Sequence, residues 1–352
     1  MTDILSLSLE ELQNKIAEIG GQKFRAKQIF DWLHVKRITD FSKMSNLSEQ
    51  FQQKLTDNFC IKRLNIQKKL ESKHDYTVKY LYGLPNDNEN NAAGSAVETV
   101  LMRYRHANSL CISTQAGCKM NCAFCASGAY GFKRNLEPSE MLLQLYETER
   151  DSGVAVGSLV LMGIGEPLDN FDNVVKFLQL LSDKNGRNMS LRHVSLSTCG
   201  LVDKIDELAK LKLGLTLSVS LHATDDETRS NLMPVNKLFN IERLLASCRN
   251  YFEKTGRRVS FEYALIAGIN DSPEDAGKLA KLLKPLGAHL NLIPINPAKR
   301  EFADGRLITA PTDAKFFQER LTNLGVNATV RRTLGADINA ACGQLRGETL
   351  KN

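Results

Sequence analysis

The chain has 352 residues, 42% apolar and 24% charged, enough for one large domain with an appendage and too well supplied with core residues for extended disorder. Mean hydropathy is −0.27, no apolar run approaches the ~18 residues of a membrane span, and the start MTDILSLSLEELQNK lacks the tracts of a secretory signal. These features predict a cytoplasmic chain with no membrane contact, and 46 basic against 40 acidic residues, net +6, permit an RNA partner without requiring one.

Residues 1–75 read as a small helical accessory domain. Ala26, Ile29, Phe30 and Leu33 fall on one helical face. A second helix is expected from Leu47 to Leu55, with Asn46 as its cap and Glu49 three residues on. Thirteen Lys/Arg against 10 Asp/Glu in this stretch fit either a solvated bundle or an RNA-contacting surface. Residues 76–103 look like an extended linker or hairpin, turning in the polar stretch 85–91.

From residue 104 to about 334 short β-rich runs alternate with amphipathic helical stretches. The runs are Leu110–Thr114, Ser158–Met162, His193–Thr198, Leu215–Leu221, Val259–Ile266, Leu290–Ile295 and Val326–Arg331. The helices expected between them are Ser139–Arg150, Asn173–Ser182, Val202–Leu211, Ile241–Lys254, Pro273–Leu283 and Thr312–Leu324. Such alternation predicts an α/β fold of parallel strands joined by crossovers, and six units suit an open, partial (β/α)6 barrel better than a closed eight-fold one. Residues 335–352 form a C-terminal tail.

Eight cysteines in a cytosolic chain of this length are more readily metal ligands or catalysts than disulfide partners. Three of them, Cys118, Cys122 and Cys125, stand at spacings of four and three in one loop after the first run. Three soft thiolates can hold an Fe–S cluster or Zn²⁺; structural zinc asks for a fourth ligand, which no nearby Cys or His supplies. A [4Fe–4S] cluster with three thiolates keeps one iron open for another ligand. Polar residues recur at the other strand ends. Gly163-Ile164-Gly165-Glu166-Pro167-Leu168 follows the second run, Ser195–Thr198 ends the third, Ser218-Val219-Ser220-Leu221-His222 the fourth, and Pro294-Ile295-Asn296-Pro297 the sixth. Taken singly each is turn chemistry; together they ring one rim.

Cys118-x3-Cys122-x2-Cys125 on the loop after the first strand of a partial barrel resembles the radical S-adenosylmethionine superfamily. The resemblance narrows with Phe24-Arg25-Ala26-Lys27-Gln28, Val97-Glu98-Thr99-Val100, Cys111-Ile112-Ser113-Thr114-Gln115, Met162–Pro167, Ser220-Leu221-His222-Ala223, Arg229-x3-Met233-Pro234 and Asp337–Leu345. Together these strings are similar to the RlmN family, dual-specificity adenine-C2 methyltransferases of 23S ribosomal RNA and transfer RNA. The similarity runs over essentially the whole chain.

What the resemblance implies is a [4Fe–4S] cluster on Cys118, Cys122 and Cys125, its open iron chelating S-adenosylmethionine, with Gly165, Glu166, Ser197, Ser220, Leu221, His222 and Asn296 around that cofactor. It implies methylation of adenine 2503 of 23S rRNA and adenine 37 of tRNAs, in the family's RNA numbering. One S-adenosylmethionine methylates Cys342; a second is reductively cleaved, and the resulting 5′-deoxyadenosyl radical takes hydrogen from the S-methyl group. The carbon radical adds to adenine C2, Glu98 accepts the C2 proton, and Cys111 attacks Cys342 sulfur to release product with a transient disulfide. An electron-donor protein of the flavodoxin–reductase kind and a monomeric enzyme complete the expectation.

Read alone, these residues say less. Cys111 in a strand is a small apolar side chain, Glu98 the solvent face of a strand, and Cys342 part of a small-residue turn. Cys60, Cys199 and Cys248 are read as structural, and Lys133-Arg134 either meets phosphates or is a solvated face. The rivals are a C8-directed adenine methyltransferase of the Cfr type, a radical methylthiotransferase and a zinc-bound RNA-binding module. The second would need an N-terminal cysteine cluster where only Cys60 stands.

Overall fold

The computed structural model describes residues 1–85, 95–104, 106–129, 131–295, 308–311, 313–340 and 345. A two-residue strand β1 (Thr2–Asp3) precedes α1 (Leu9–Glu18), α2 (Phe24–His34) and α3 (Glu49–Asn58), and pairs with β2 (Phe59–Cys60). Helix α1 starts where a capping box dictates: Glu11 N donates to Ser8 Oγ, and Ser8 N to the Glu11 carboxylate. Helix α2 buries Ala26, Ile29, Phe30 and Leu33, the face expected from their spacing. The cap of α3 is Ser48 rather than Asn46, whose Oδ1 instead accepts from Trp32 Nε1 at 2.7 Å.

The N-terminal segment is not helical to residue 75. Strand β3 (Asn65–Glu71) runs antiparallel to β4 (Val78–Gly83), and β4 to β5 (Ala96–Arg103). Strand β3 carries its side chains largely in solvent (Leu70 is half-buried), so no apolar alternation marked it. The hairpin loop expected at 85–91 falls, beyond Pro85, outside the described residues.

These three strands extend a single ten-stranded sheet. Strand β5 pairs antiparallel with β6 (Asn108–Cys111), and from β6 onward the sheet is parallel. The loop after β6 carries its own hairpin, β7 (Gln115–Gly117) with β8 (Phe132–Asn135), and the single-turn helix α4 (Ala126–Ala129). Then come α5 (Pro138–Ser152), β9 (Val156–Leu161), α6 (Phe171–Ser182), β10 (Val194–Thr198), α7 (Val202–Lys210) and β11 (Thr216–Ser220). The chain continues through α8 (Asp226–Leu232), α9 (Ile241–Thr255), β12 (Ser260–Leu265), α10 (Pro273–Leu283), β13 (His289–Pro294), α11 (Ala314–Asn323) and β14 (Asn327–Val330). Strands run in the order β14-β13-β12-β11-β10-β9-β6-β5-β4-β3, an open partial barrel.

Local chemistry sets the helix boundaries. Helix α5 begins with Pro138 at its first turn and ends at Gly153, whose φ of 68° suits the left-handed C-terminal position. Helix α10 opens with a Ser272–Asp275 capping box and Pro273. Nearly all of α5 is buried, because the N-terminal helices cover the face turned away from the sheet. Ser139 N donates to Ser6 Oγ at 3.1 Å, Lys62 pairs with Glu137 at 2.9 Å, and Arg37 with Glu149 at 2.6 Å. One apolar cluster runs without interruption from Ile4 through the barrel to Ala328. No helix among the described residues is long and apolar enough to cross a membrane.

Candidate active site

The C-terminal ends of β9 to β13 and the loop after β7 enclose a cavity of about 170 Å³. Cys118, Cys122 and Cys125 line it together with Gly165, Glu166, Ser197, Ser220 and His222. Eight of the residues singled out in sequence therefore meet in one place. Leu221 does not: its side chain is fully buried in the core. Asn296 and Cys342 lie outside the described residues.

The cysteine loop is pinched at its base. Gly117, with φ of 77°, sits where a Cβ would stand 1.7 Å from Gly131 O, so only glycine allows β7 and β8 to close. Within the loop Cys125 N donates to Cys122 O at 3.1 Å, and Ala123 N reaches Leu232 O on α8 at 2.9 Å. Burial pushes the Cys118 thiol up to about 12, helped by neighbouring Cys125, and raises Cys122 also, with Cys125 and Cys118 adding to the effect. In the bare loop Cys118 and Cys122 are thus protonated at neutral pH, and a bound metal centre must displace those protons.

The donor set fits a cluster. Three mutually interacting soft thiols line one cavity, and among the described residues no three His, Cys, Asp or Glu side chains converge on a point as ligands of one ion must. A cubane takes each thiolate on a different iron, so it needs no such convergence. Cys118, Cys122 and Cys125 would hold it.

Opposite the loop, Gly165 has φ of 107°, and a Cβ there would lie 2.6 Å from Gln115 Cβ. Gln115 clamps the turn: its Oε1 accepts from Glu166 N at 2.8 Å, while its Nε2 donates to Asn135 and Asp169. The Glu166 carboxylate is buried, and burial raises its pKa although Cys199 N (2.7 Å) and Leu168 N (3.0 Å) donate to it. With the Thr198 and Cys199 side chains also donating to it, the carboxylate is held in place at the cavity wall. His222 occupies the left-handed region (φ 57°) and stacks edge-on against Phe124 at 4.8 Å. Its Nδ1 accepts from Ala264 N at 2.8 Å, so the proton sits on Nε2. Burial, and then Arg229, drop its pKa to about 3, keeping the ring neutral.

Several wall residues escaped the sequence reading. Cys199, read as structural, lines the cavity beside Glu166. Glu262 accepts from Ser218 Oγ (2.6 Å) and Asn291 Nδ2 (2.9 Å), and Arg331 lies 3.7 Å from its other oxygen. A carboxylate in mid-strand of an apolar run was the available signal. Cys248 is a core residue. Arg134 is held bidentate by Glu140, both contacts at 2.7 Å, rather than presented to phosphates.

Cys111 and Glu98 lie outside the cavity wall, on the antiparallel side of the sheet. Cys111 pairs with Val100 across β6 and β5 and is buried in an apolar cluster with Val100, Ile164, Ala340 and Leu345. The last two are the described residues that bracket 341–344. Ser127 Oγ, next to the cysteine loop, donates to Leu345 O at 2.9 Å. Residues 335–340 are moored to the β3–β4 turn through Gly335 N to Asp75 Oδ2 (2.8 Å) and Lys73 N to Asp337 Oδ2 (3.0 Å). Glu98 is buried two residues before Val100 and pairs with Lys79 at 3.0 Å.

Residues 2–61 match the ribosomal RNA large subunit methyltransferase N-terminal domain family, and residues 112–282 the radical SAM superfamily. The chain is 47% identical to a probable dual-specificity RNA methyltransferase RlmN of Lachnoclostridium phytofermentans, covering 98% of this chain and 94% of that one. It is 43% identical over the full length of both chains to the Clostridium novyi protein of the same name. A radical SAM methyltransferase structure from Sphaerobacter thermophilus superposes with a TM-score of 0.90 at 37% identity, covering 99% and 100% of the two chains. With relatives of that name matching over essentially the whole chain, the chain belongs to the RlmN family of radical SAM RNA methyltransferases.

Proposed function

We propose that this chain methylates C2 of one adenine in 23S rRNA and one in tRNAs through a methyl group carried on Cys342. The observation that carries the reading is the apolar cluster joining Cys111 to Ala340 and Leu345, which flank the Cys342 segment. Two thiols serving one covalent cycle must be able to meet, and Ala340 and Leu345, the described residues on either side of positions 341–344, pack with Cys111. When bound to Cys118, Cys122 and Cys125, the [4Fe–4S] cluster supplies one-electron cleavage of S-adenosylmethionine, chemistry that an electron-poor carbon between two ring nitrogens requires.

The protein's own groups do the rest. Gly165 and Glu166 would receive the cofactor's amino group, while Ser197, Ser220, Leu221, His222 and Asn296 would bind its remaining polar groups. Cys342 thiolate would displace the methyl group of one S-adenosylmethionine, releasing S-adenosylhomocysteine. A hydrogen atom of the S-methyl group would pass to the 5′-deoxyadenosyl fragment of a second, and the carbon would then bond to adenine C2, the electron surplus left on loss of the C2 proton returning to the cluster. Glu98 takes the C2 proton. Cys111 thiolate attacks the Cys342 sulfur, the carbon–sulfur bond breaks, and its electron pair leaves with the RNA as an enamine that tautomerises to methyladenine; the two sulfurs end as a disulfide. Electrons come from a donor protein of the flavodoxin–reductase kind, and the chain acts as a monomer. The adenine must be unstacked to reach this site.

RNA from a deletion strain complemented with this chain, digested and analysed by mass spectrometry, should regain 2-methyladenosine in both rRNA and tRNA. Cys342→Ala should restore none. Appearance of 8-methyladenosine instead would assign the chain to the C8-directed class.

A further inference from the structure

Arg229 on α8 has no solvent exposure. Its Nε donates to Leu221 O (3.1 Å), Nη1 to Asn236 Oδ1 (2.9 Å) and Phe239 O (3.5 Å), and Nη2 to Cys199 O (2.8 Å) and Ser220 O (3.0 Å). Every one of these acceptors is a neutral carbonyl or amide oxygen. The hydrogen bonds satisfy the donors and brace the ends of β10 and β11, but they do not neutralise the charge. A buried cation without a counter-ion is costly, and proteins ordinarily pair it.

Asp226 is the carboxylate nearest in the network, and it stands one residue removed. Its Oδ1 accepts from Asn236 Nδ2 (3.1 Å) and Ile241 N (2.8 Å), so it meets Arg229 only through Asn236. On its other side the guanidinium faces the cavity wall. Cys199, whose carbonyl it holds, lines the cavity with Cys122, and α8 is bonded to the cysteine loop through Ala123 N and Leu232 O.

We propose that Arg229 is a positioning residue that also acts at a distance, its charge, bonded by no carboxylate among the described residues, raising the reduction potential of the cluster on Cys118, Cys122 and Cys125. A [4Fe–4S]²⁺ core with three thiolates carries a net charge of −1, and one electron takes it to −2. A fixed cation in a water-excluded wall stabilises the more negative state, and net charge near the sulfurs is a recognised lever on potential. No bond forms or breaks at Arg229, which keeps its proton throughout; the electron comes from a donor protein, or from dithionite in the test. This inference rests on the cluster assignment above.

The test is a redox titration of reconstituted holoenzyme with dithionite, followed by the electron paramagnetic resonance signal of the reduced cluster, after iron and sulfide have been counted. Arg229→Gln should lower the reduced-to-oxidised ratio at fixed ambient potential at least tenfold, which is 59 mV for one electron. Asp226→Asn keeps an oxygen acceptor for Ile241 N and removes the negative charge behind Arg229, so it should move the ratio the opposite way. Loss of packing alone cannot produce opposite signs from the two variants. Wild-type protein that binds no iron and sulfide overturns the cluster assignment itself. Fully loaded variants with unmoved potentials overturn only the role of Arg229. If Arg229→Gln fails to load, Asp226→Asn decides, and an unchanged or lower potential there refutes the proposal.

Discussion

Lys79 Nζ lies 3.0 Å from Glu98 Oε1 and donates to Asn339 O, also at 3.0 Å. Both side chains are about nine-tenths buried, at 10% and 8% exposure. Lys79 on β4 pairs with Val100 on β5, and Glu98 sits diagonally across the same antiparallel pair. One ammonium thereby ties the carboxylate assigned to proton removal to the segment leading to Cys342, three residues beyond Asn339.

Lys79→Met should remove the Lys79 ammonium from beside that buried carboxylate. Breaking such a pair costs about 3 kcal/mol of stability, readable as a lowered urea midpoint. RNA methylation should fall by tenfold or more, while methylation of Cys342, read as a 14-dalton gain in intact-protein mass, continues. Lys79→Arg should recover much of the loss. Wild-type turnover by Lys79→Met would show the pair to be incidental.

Cys111→Ala should retain cofactor cleavage and Cys342 methylation but stop release of RNA. A carbon–sulfur bond to a methylene does not hydrolyse readily, so protein incubated with substrate RNA should migrate as an adduct resistant to denaturant and reductant. Because Cys111 is a small buried side chain, the substitution should cost only about 1 kcal/mol. Multiple turnover without any adduct would leave Cys111 as core packing alone.

The parallel strands and most of their helices were legible because the β-runs are rich in apolar residues and helices such as α5 and α10 carry start signals, at Glu137-Pro138 and Ser272-Pro273. Strand β3 was not, since its exposed Gln67, Lys68 and Lys69 show no buried face. The cysteine triad was legible from spacing, and the glycine turn at Gly165 from its neighbours. Cys199 and Arg331 were not, because what makes them wall residues is where β10 and the residue following β14 end in space. Gln115 reads as an ordinary loop residue until Glu166 N and Asp169 are seen to converge on it from 51 and 54 positions away. Cys111 and Glu98 acquired roles from resemblance alone; the sheet adds their neighbours, Val100, Ala340 and Lys79.

Gly165→Ala should damage cofactor binding without unfolding the chain. The position has φ of 107° and its added Cβ would collide with Gln115 Cβ and N, at 2.6 and 2.8 Å. Relief requires the turn to retreat, carrying Glu166 with it. Calorimetric titration of the holoenzyme with S-adenosylmethionine should show affinity reduced at least tenfold, with stability lowered by about 1–3 kcal/mol. Unchanged affinity would mean that Glu166 does not receive the cofactor.

A last prediction concerns acid stability and involves His34, which joins the N-terminal helices to the barrel. Its ring is fully buried against Phe30 and α5, with Nδ1 3.2 Å from Tyr146 OH and no partner at Nε2 among the described residues. Burial lowers its pKa from 6.5 to about 4, only partly offset by Asp183. The unfolded chain therefore takes up a proton at a higher pH than the folded one. The resulting stability is complete above about pH 6.5 and drains away as pH falls toward 4. At 1.36 kcal/mol per unit, the loss at pH 5 is about 2 kcal/mol from this group. Urea unfolding at pH 7.5 and pH 5.0 should show that loss in the wild type. His34→Gln starts lower at pH 7.5, because it disturbs the contact with Tyr146, but should decline correspondingly less between the two pH values. Equal declines in the two proteins would place the acid sensitivity elsewhere in the molecule.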